Sequence, residues 1–460
     1  MIDHLATLRE QPVWQPMPDK LRAEFRTSLP TAPRSLEQAL EDFDRAIKPY
    51  ATGNTHPMFM GWVHGGGTPV GMLAEMLAAG LNANCGGRDH VGLELERQVT
   101  LWAAQMLGFP ASASGILVTG TSMANFLAVL IARDHALGHD VRKTGLKATD
   151  TQLVAYTSGE AHSCITQAMQ LAGIGSNNLR LIAADPLGRM HINHLEAAIE
   201  ADRRAGLTPF LLVGTAGTVN TGAVDPLARL ADVAARHQLW FHVDGAFGAL
   251  AALAPSLKHL LDGIENAQSV AFDFHKWGQV PYDAGFLLVR DAAAHCATFA
   301  SPAAYLSRLS RGLAAGEIWP CDLGPDLSRS FRALKTWLTL SVHGTERIGA
   351  AIERCCHVAR RLGRLVEASP DLELRAPIGL NIVCFGLTDP DTDALVPEIV
   401  MDLHERGVAV PSLTTINGRP AIRAAIVNHR TVEADADELV HQIAISLQRL
   451  RPNSRQSRAI

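Results

Sequence analysis

Between residues 115 and 289, short apolar runs alternate with longer amphipathic stretches, and this alternation constrains the fold more than any other feature of the chain. The runs are GILVTG (115–120), LVAYTS (153–158), FLLVGT (210–215), LWFHVD (239–244) and SVAFDF (269–274). Helical patterns follow the first three, over residues 124–133, from residue 163 and over residues 227–237. Runs this short and this apolar, joined by helix-length crossovers, predict β-α units on a mostly parallel central sheet with helices on both faces. Beyond Phe331 a long helical pattern, FRALKTW to GRLVEA, precedes the strand-like NIVCFGL and AIRAAIVN, which predicts a smaller carboxy-terminal α+β domain. Pro30, Pro33 and Pro57 punctuate the opening, so helical and extended pieces outside the main sheet are expected there. The expected divisions are 1–56, 57–335 and 336–460.

Ligands of α/β sheets bind at the carboxyl ends of the strands, so the polar residues at those ends matter most. SVAFDF runs into Asp273, His275 and Lys276. An isolated lysine after a strand is ordinarily a surface residue, but a partly desolvated one is a nucleophile that can hold an aldehyde cofactor as an imine. LWFHVD ends on Asp244, a carboxylate that needs a partner if buried. Two partners are open to it: a protonated pyridine nitrogen, or the amides of a helix that it caps. VTGTSMAN follows a strand and opens a helix, so Gly120, Thr121 and Ser122 offer amides and hydroxyls suited to a phosphate, or simply a turn and a cap. His162, in EAHSC, also follows a strand, where its ring can stack on a planar cofactor or stand as an ordinary surface histidine.

Composition removes the main competitors to a small-molecule role. The net charge of -5 is small for 460 residues, and Lys and Arg are scattered rather than gathered in a stripe, which disfavours nucleic acid and anionic membranes as partners. No apolar stretch reaches the ~20 residues of a spanning helix, and MIDHLATLREQP lacks the pattern of a signal peptide. The 7 cysteines are dispersed without CxxC spacing, so neither a disulfide framework nor a metal site is expected, and a cytoplasmic location is.

In chain order the blocks HPMFMGWVHGGGTPVGMLAEML, ELERQV, VTGTSMAN, EAHSC, GTVNTGAVDPL, HVDGAFG, DFHKW, LSRSFRALKTW and AIRAAIVNHRT span residues 56–431. Together they resemble the group II pyridoxal-phosphate decarboxylases, the family of aromatic-L-amino-acid, glutamate and cysteine-sulfinate decarboxylases. The resemblance implies a fold-type I enzyme with pyridoxal 5′-phosphate as cofactor, and a homodimer with its active sites at the subunit interface. It implies that Lys276 is the Schiff-base lysine and that His275 helps hold the phosphate or the substrate carboxylate. It further implies that Asp244 pairs with the pyridinium nitrogen, that Ala246 packs under the ring and that His162 stacks on the opposite face. Thr121, Ser122 and Asp273 fall at phosphate positions, and Thr218 falls near the cofactor. The implied reaction is decarboxylation of an L-amino acid, of aromatic type, to an amine and carbon dioxide.

The chain departs from the family pattern in two places. Met123 stands where relatives usually carry Glu. In the lid expected over residues 307–327, the place of a tyrosine that reprotonates the α-carbon falls around Trp319, Pro320 and Cys321, and the nearest upstream tyrosine is Tyr305. Loss of that tyrosine implies an alternative, an aldehyde synthase that decarboxylates and then uses oxygen. His90 is another candidate acid. Transamination or β-elimination on the same fold is a further alternative, and a cofactor-binding protein without turnover is another. Met58, Phe59 and Trp62 are candidates for an apolar substrate pocket, while Arg88 suits either an acidic substrate or a structural ion pair.

Overall fold

The structure, a computed structural model, describes residues 1–301, 307–316 and 318–451. Tyr305, and Glu317 within the expected lid, lie outside the described residues. The chain forms two units, one from Gly67 to Arg354 and one joining Met1–Gly66 to the described chain from Cys355 onward. The opening segment belongs with the carboxy-terminal part because its first strand, β1 (Phe59–Met60), pairs in parallel with a carboxy-terminal strand. Met58, Phe59 and Met60 share a buried core with Val358, Leu362, Phe385, Ile399 and Ile422.

The next seven strands build the sheet of the larger unit: β2 (Ser114–Val118), β3 (Leu153–Ser158), β4 (Leu179–Ile182), β5 (Thr208–Thr215), β6 (Trp240–Asp244), β7 (Ser269–Asp273) and β8 (Gly285–Val289). Their spatial order is β2-β8-β7-β6-β5-β3-β4. All neighbours pair in parallel except that β8 runs antiparallel to both β2 and β7. The helix Thr121–Leu137 lies on one face, where Ala124, Leu127 and Ile131 pack with Ile116, Val118, Val213, Ala271 and Leu287. Successive strand residues point to opposite faces, and Gly214 accordingly meets Leu227 and Leu230 of the helix Leu227–His237. Helices therefore cover both faces, which explains why β6, β7 and β8 are buried along their whole lengths.

The smaller unit adds β9 (Leu372–Leu374), β10 (Ile382–Leu387), β11 (Val410–Ile416) and β12 (Arg419–Ala425), in the order β1-β11-β12-β10-β9. The helical pattern read from Phe331 is realised over Arg332–Ala368, broken at Gly344, whose φ of 69° and ψ of 156° no helix admits. One ion pair deep in the larger unit ties three elements. Arg329, 5% exposed, donates to both carboxylate oxygens of Glu96 and to the carbonyls of Cys85 and Leu117, while Glu96 accepts the Leu117 amide. Removing either partner leaves an uncompensated buried charge, a cost of about 3–5 kcal/mol.

Among the described residues no helix is long and apolar enough to cross a membrane, and no group of three or more His, Cys, Asp or Glu side chains is placed to hold a metal ion.

Candidate active site

Because β2, β3, β5, β6 and β7 run the same way, their carboxyl ends share one edge of the sheet. Thr121, His162, Asp244 and Lys276 follow or close four of these strands, and Thr218 follows the fifth. The backbone is crowded here: a Cβ on Gly285 would fall 2.3 Å from Gly120 Cα, so β8 and the loop opening the helix Thr121–Leu137 approach as only glycines allow.

Asp273 organises the amine. Its Oδ2 lies 2.8 Å from Lys276 Nζ, and its Oδ1 accepts the Thr121 amide at 2.8 Å. The carboxylate is buried, whereas the Lys276 side chain keeps 20% of its surface open. The amine is thus held by a buried carboxylate and reachable from outside. His275 Nδ1 accepts the Ala284 amide at 3.0 Å, leaving Nε2 to face Asp273 Oδ2 at 3.6 Å. Burial pushes the His275 imidazole down to about 4, against the pull of Asp273, so it stands neutral beside the charged pair.

Asp244, at the end of β6, is 2% exposed. Its Oδ1 accepts the Ala246 amide at 3.1 Å and its Oδ2 accepts Asn125 Nδ2 at 3.0 Å. Burial raises its pKa, and the charge of Lys276 and the Ala246 amide draw it back. A carboxylate this deep stays ionised best opposite a cation. Thr121 Oγ1 is likewise buried and has no hydrogen-bond partner among the described residues. It sits at the amino terminus of a 17-residue helix, where an anion is favoured.

The remaining residues read from the sequence fall at different distances from this centre. Ser122 and His162 are exposed, His162 accepting the Cys164 amide on Nδ1. Ala246 bridges the two acidic strands, its amide on Asp244 and its carbonyl accepting the Asp273 amide. The Thr218 hydroxyl is spent within its own turn, on Thr221 and the Ala223 amide. His90 caps the helix Val91–Leu107 through Nδ1. Arg88 forms no ion pair with an acidic residue among the described contacts but lies over the Trp319 ring, 4.9 Å from its centroid, with Arg308 at 3.5 Å. Trp319 is therefore a buried anchor of the expected lid segment, with its amide on Asp322 and its indole on the Ala315 carbonyl. Met58 and Phe59 are committed to the core of the smaller unit.

Sequence reasoning passed over Asn125, the side-chain donor to Asp244. The signal was present: Asn125 lies four residues after Thr121, hence on the same helix face.

An amine on one strand end and a buried anion on the next suit a cofactor that is at once an aldehyde and a ring base, and the fold is that of the fold-type I pyridoxal-phosphate enzymes. The profile described as the pyridoxal-dependent decarboxylase conserved domain matches residues 18–388. The chain belongs to this pyridoxal-dependent decarboxylase family, and its cofactor is pyridoxal 5′-phosphate. It is similar to an aromatic-L-amino-acid decarboxylase of Bacillus atrophaeus, 32% identical over 457 residues, covering 96% of this chain and 92% of the relative. Among solved structures it is similar to mouse CSAD, with a TM-score of 0.88 and 27% identity over 95% of this chain and 93% of that one. It is also similar to a Rhodiola rosea 4-hydroxyphenylacetaldehyde synthase, with a TM-score of 0.87 and 29% identity over 98% and 96% of the two chains.

Proposed function

We propose that this enzyme removes the α-carboxylate of an aromatic L-amino acid and releases the amine and carbon dioxide. The observation that carries the reading is the pairing of a reachable amine, Lys276, with a buried anion, Asp244, on adjacent parallel strands. The cofactor, when bound, supplies a ring that accepts the electrons left on the α-carbon as carbon dioxide departs. Lys276 would hold its aldehyde carbon, Asp244 its ring nitrogen, and Thr121 and Ser122 its phosphate. His162 and Ala246 would flank the two faces of the ring, with Thr218 nearby. Asp273, itself negative, serves by fixing Lys276 and the Thr121 amide. His275, neutral and tied to Ala284, completes the wall beside them and would help hold the phosphate or the substrate carboxylate.

The protein works as a homodimer in the cytoplasm, with each site completed at the subunit interface. Support for the dimer comes from the helix Pro69–Leu81, which leaves Leu73, Met76, Leu77 and Leu81 between 48% and 66% exposed along one face. An apolar helix stripe of this kind is the surface that association covers.

One observation favours a second reading, oxidative deamination after decarboxylation. Trp319, Pro320 and Cys321 supply no tyrosine to the lid, and the chain is similar to an aldehyde synthase. Tyr156 is buried against Asp202, whereas Tyr282 lies tilted against His275, ring centroids 4.2 Å apart, and is the better-placed acid of the two. The purified holoenzyme, given a panel of L-amino acids with and without oxygen, should yield carbon dioxide and amine in equal amounts on aromatic substrates in both atmospheres. Aldehyde, ammonia and peroxide matching carbon dioxide under oxygen would establish the second reading instead. Formation of a 2-oxo acid without carbon dioxide would defeat both.

A further inference from the structure

Asp244 is the last member of a buried chain of side chains that begins about 13 Å away at the other end of β6, four residues at the usual strand rise. Trp240 Nε1 donates to Ser269 Oγ at 2.8 Å, and Ser269 Oγ lies 2.8 Å from His242 Nδ1. His242 Nε2 lies 2.8 Å from Asn125 Oδ1, and Asn125 Nδ2 donates to Asp244 Oδ2 at 3.0 Å. Trp240, His242 and Asp244 alternate along β6 and so share one face, Ser269 stands opposite His242 in the register of β7, and Asn125 comes from the helix above. His242, Ser269 and Asn125 are 0% exposed, so the chain is sealed from bulk water.

The chain has a direction. A carboxylate only accepts, so Asn125 turns its N–H end to Asp244 and its Oδ1 to His242 Nε2. Facing that oxygen, the neutral imidazole carries its proton on Nε2, and its Nδ1 accepts the Ser269 hydroxyl. Ser269 in turn accepts the indole N–H of Trp240, which only donates. Burial pushes His242 down to about 3, so the imidazole stays neutral and the direction does not reverse.

We propose that Trp240, Ser269, His242 and Asn125 are positioning residues forming a one-way hydrogen-bond relay that keeps the Asp244 carboxylate ionised and in one orientation, and thereby keeps the ring nitrogen of the bound cofactor protonated. The inference rests on the assignment of Asp244 to that nitrogen. A buried acid left to desolvation alone would take up a proton and lose its hold on the ring. Each donor in the relay opposes that change from a residue that never touches the cofactor.

The test is the nitrogen-15 resonance of ring-labelled pyridoxal phosphate bound to the holoenzyme, read together with cofactor dissociation. Asn125→Leu and His242→Met cut the relay and should move the resonance from the protonated toward the neutral position, with cofactor bound about tenfold more weakly, the effect of one lost hydrogen bond to a charged group. His242→Gln, which keeps an N–H for Asn125, should stay near the wild-type resonance. Ser269→Ala removes one oxygen, frees His242 to shift its proton to Nδ1, and should move the resonance in the same direction even where larger core changes fail to fold. Asp244→Asn is the reference. If it moves the resonance and folded relay variants do not, or if His242→Gln moves it as far as His242→Met, the relay is refuted while the assignment of Asp244 stands. If Asp244→Asn leaves the resonance in place, the assignment itself is refuted.

Discussion

Lys276→Ala is expected to lower kcat by at least about 10⁴-fold, the scale of removing a nucleophile that every turnover uses. The side chain does two things in this structure: it presents the amine at the open side of the site, and it neutralises Asp273, whose carboxylate is 2% exposed. With the ammonium gone, Asp273 keeps the Thr121 amide and faces His275 Nε2. Lys276 is one of the charges that hold the His275 pKa down, so the substitution should raise that pKa as well as remove the amine. The variant should still take up cofactor, without a covalent link, through the helix amino terminus at Thr121 and through Asp244. Steady-state kinetics on an aromatic substrate and equilibrium dialysis of the cofactor check both halves. Turnover within tenfold of the unsubstituted enzyme would remove Lys276 from the chemistry.

Asp244→Asn should lower kcat by about 10²-fold or more, the scale of losing a preorganised charge opposite the group it stabilises. The amide preserves shape, but one of its two ends now presents N–H where Asp244 accepts from both Ala246 and Asn125. One donor therefore meets a donor, and cofactor affinity should fall about tenfold, well short of the loss in turnover. Measuring kcat beside the cofactor dissociation constant separates the two effects. Equal losses in both would make Asp244 a structural anchor and nothing more.

What the sequence allowed, and what it hid, divides along chain separation. The parallel strands were legible because each is a short apolar run followed by a helical stretch, and the polar residues closing them marked one edge of the sheet. The reversed direction of β8 was not, since GFLLV is buried on both faces and reads the same either way. β1, with two residues, is too short to leave a pattern, and its pairing with Val410 and Pro411 joins segments 351 residues apart in number. At the site, strand-end chemistry marked Lys276 and Asp244 only as candidates, and the resemblance chose between a cofactor role and an ordinary surface lysine or helix cap. The use of Thr218 and His90 within their own turns left no mark, because a hydroxyl or imidazole near a strand end looks the same whether it faces a ligand or a backbone amide. Asn125, His242 and Ser269 read as ordinary helix and strand residues until the fold brought three distant segments into one hydrogen-bonded line.

Borohydride reduction of the holoenzyme followed by peptide mass spectrometry tests the central assignment most directly. The account predicts a pyridoxyl group on Lys276 in the peptide containing DFHKW, in proportion to the cofactor lost from the free pool, and none in Lys276→Ala. Lys335, a buried lysine of the larger unit, is paired with Glu75 and should stay unmodified. An adduct on Lys335 or on any surface lysine, with Lys276 untouched, would contradict it.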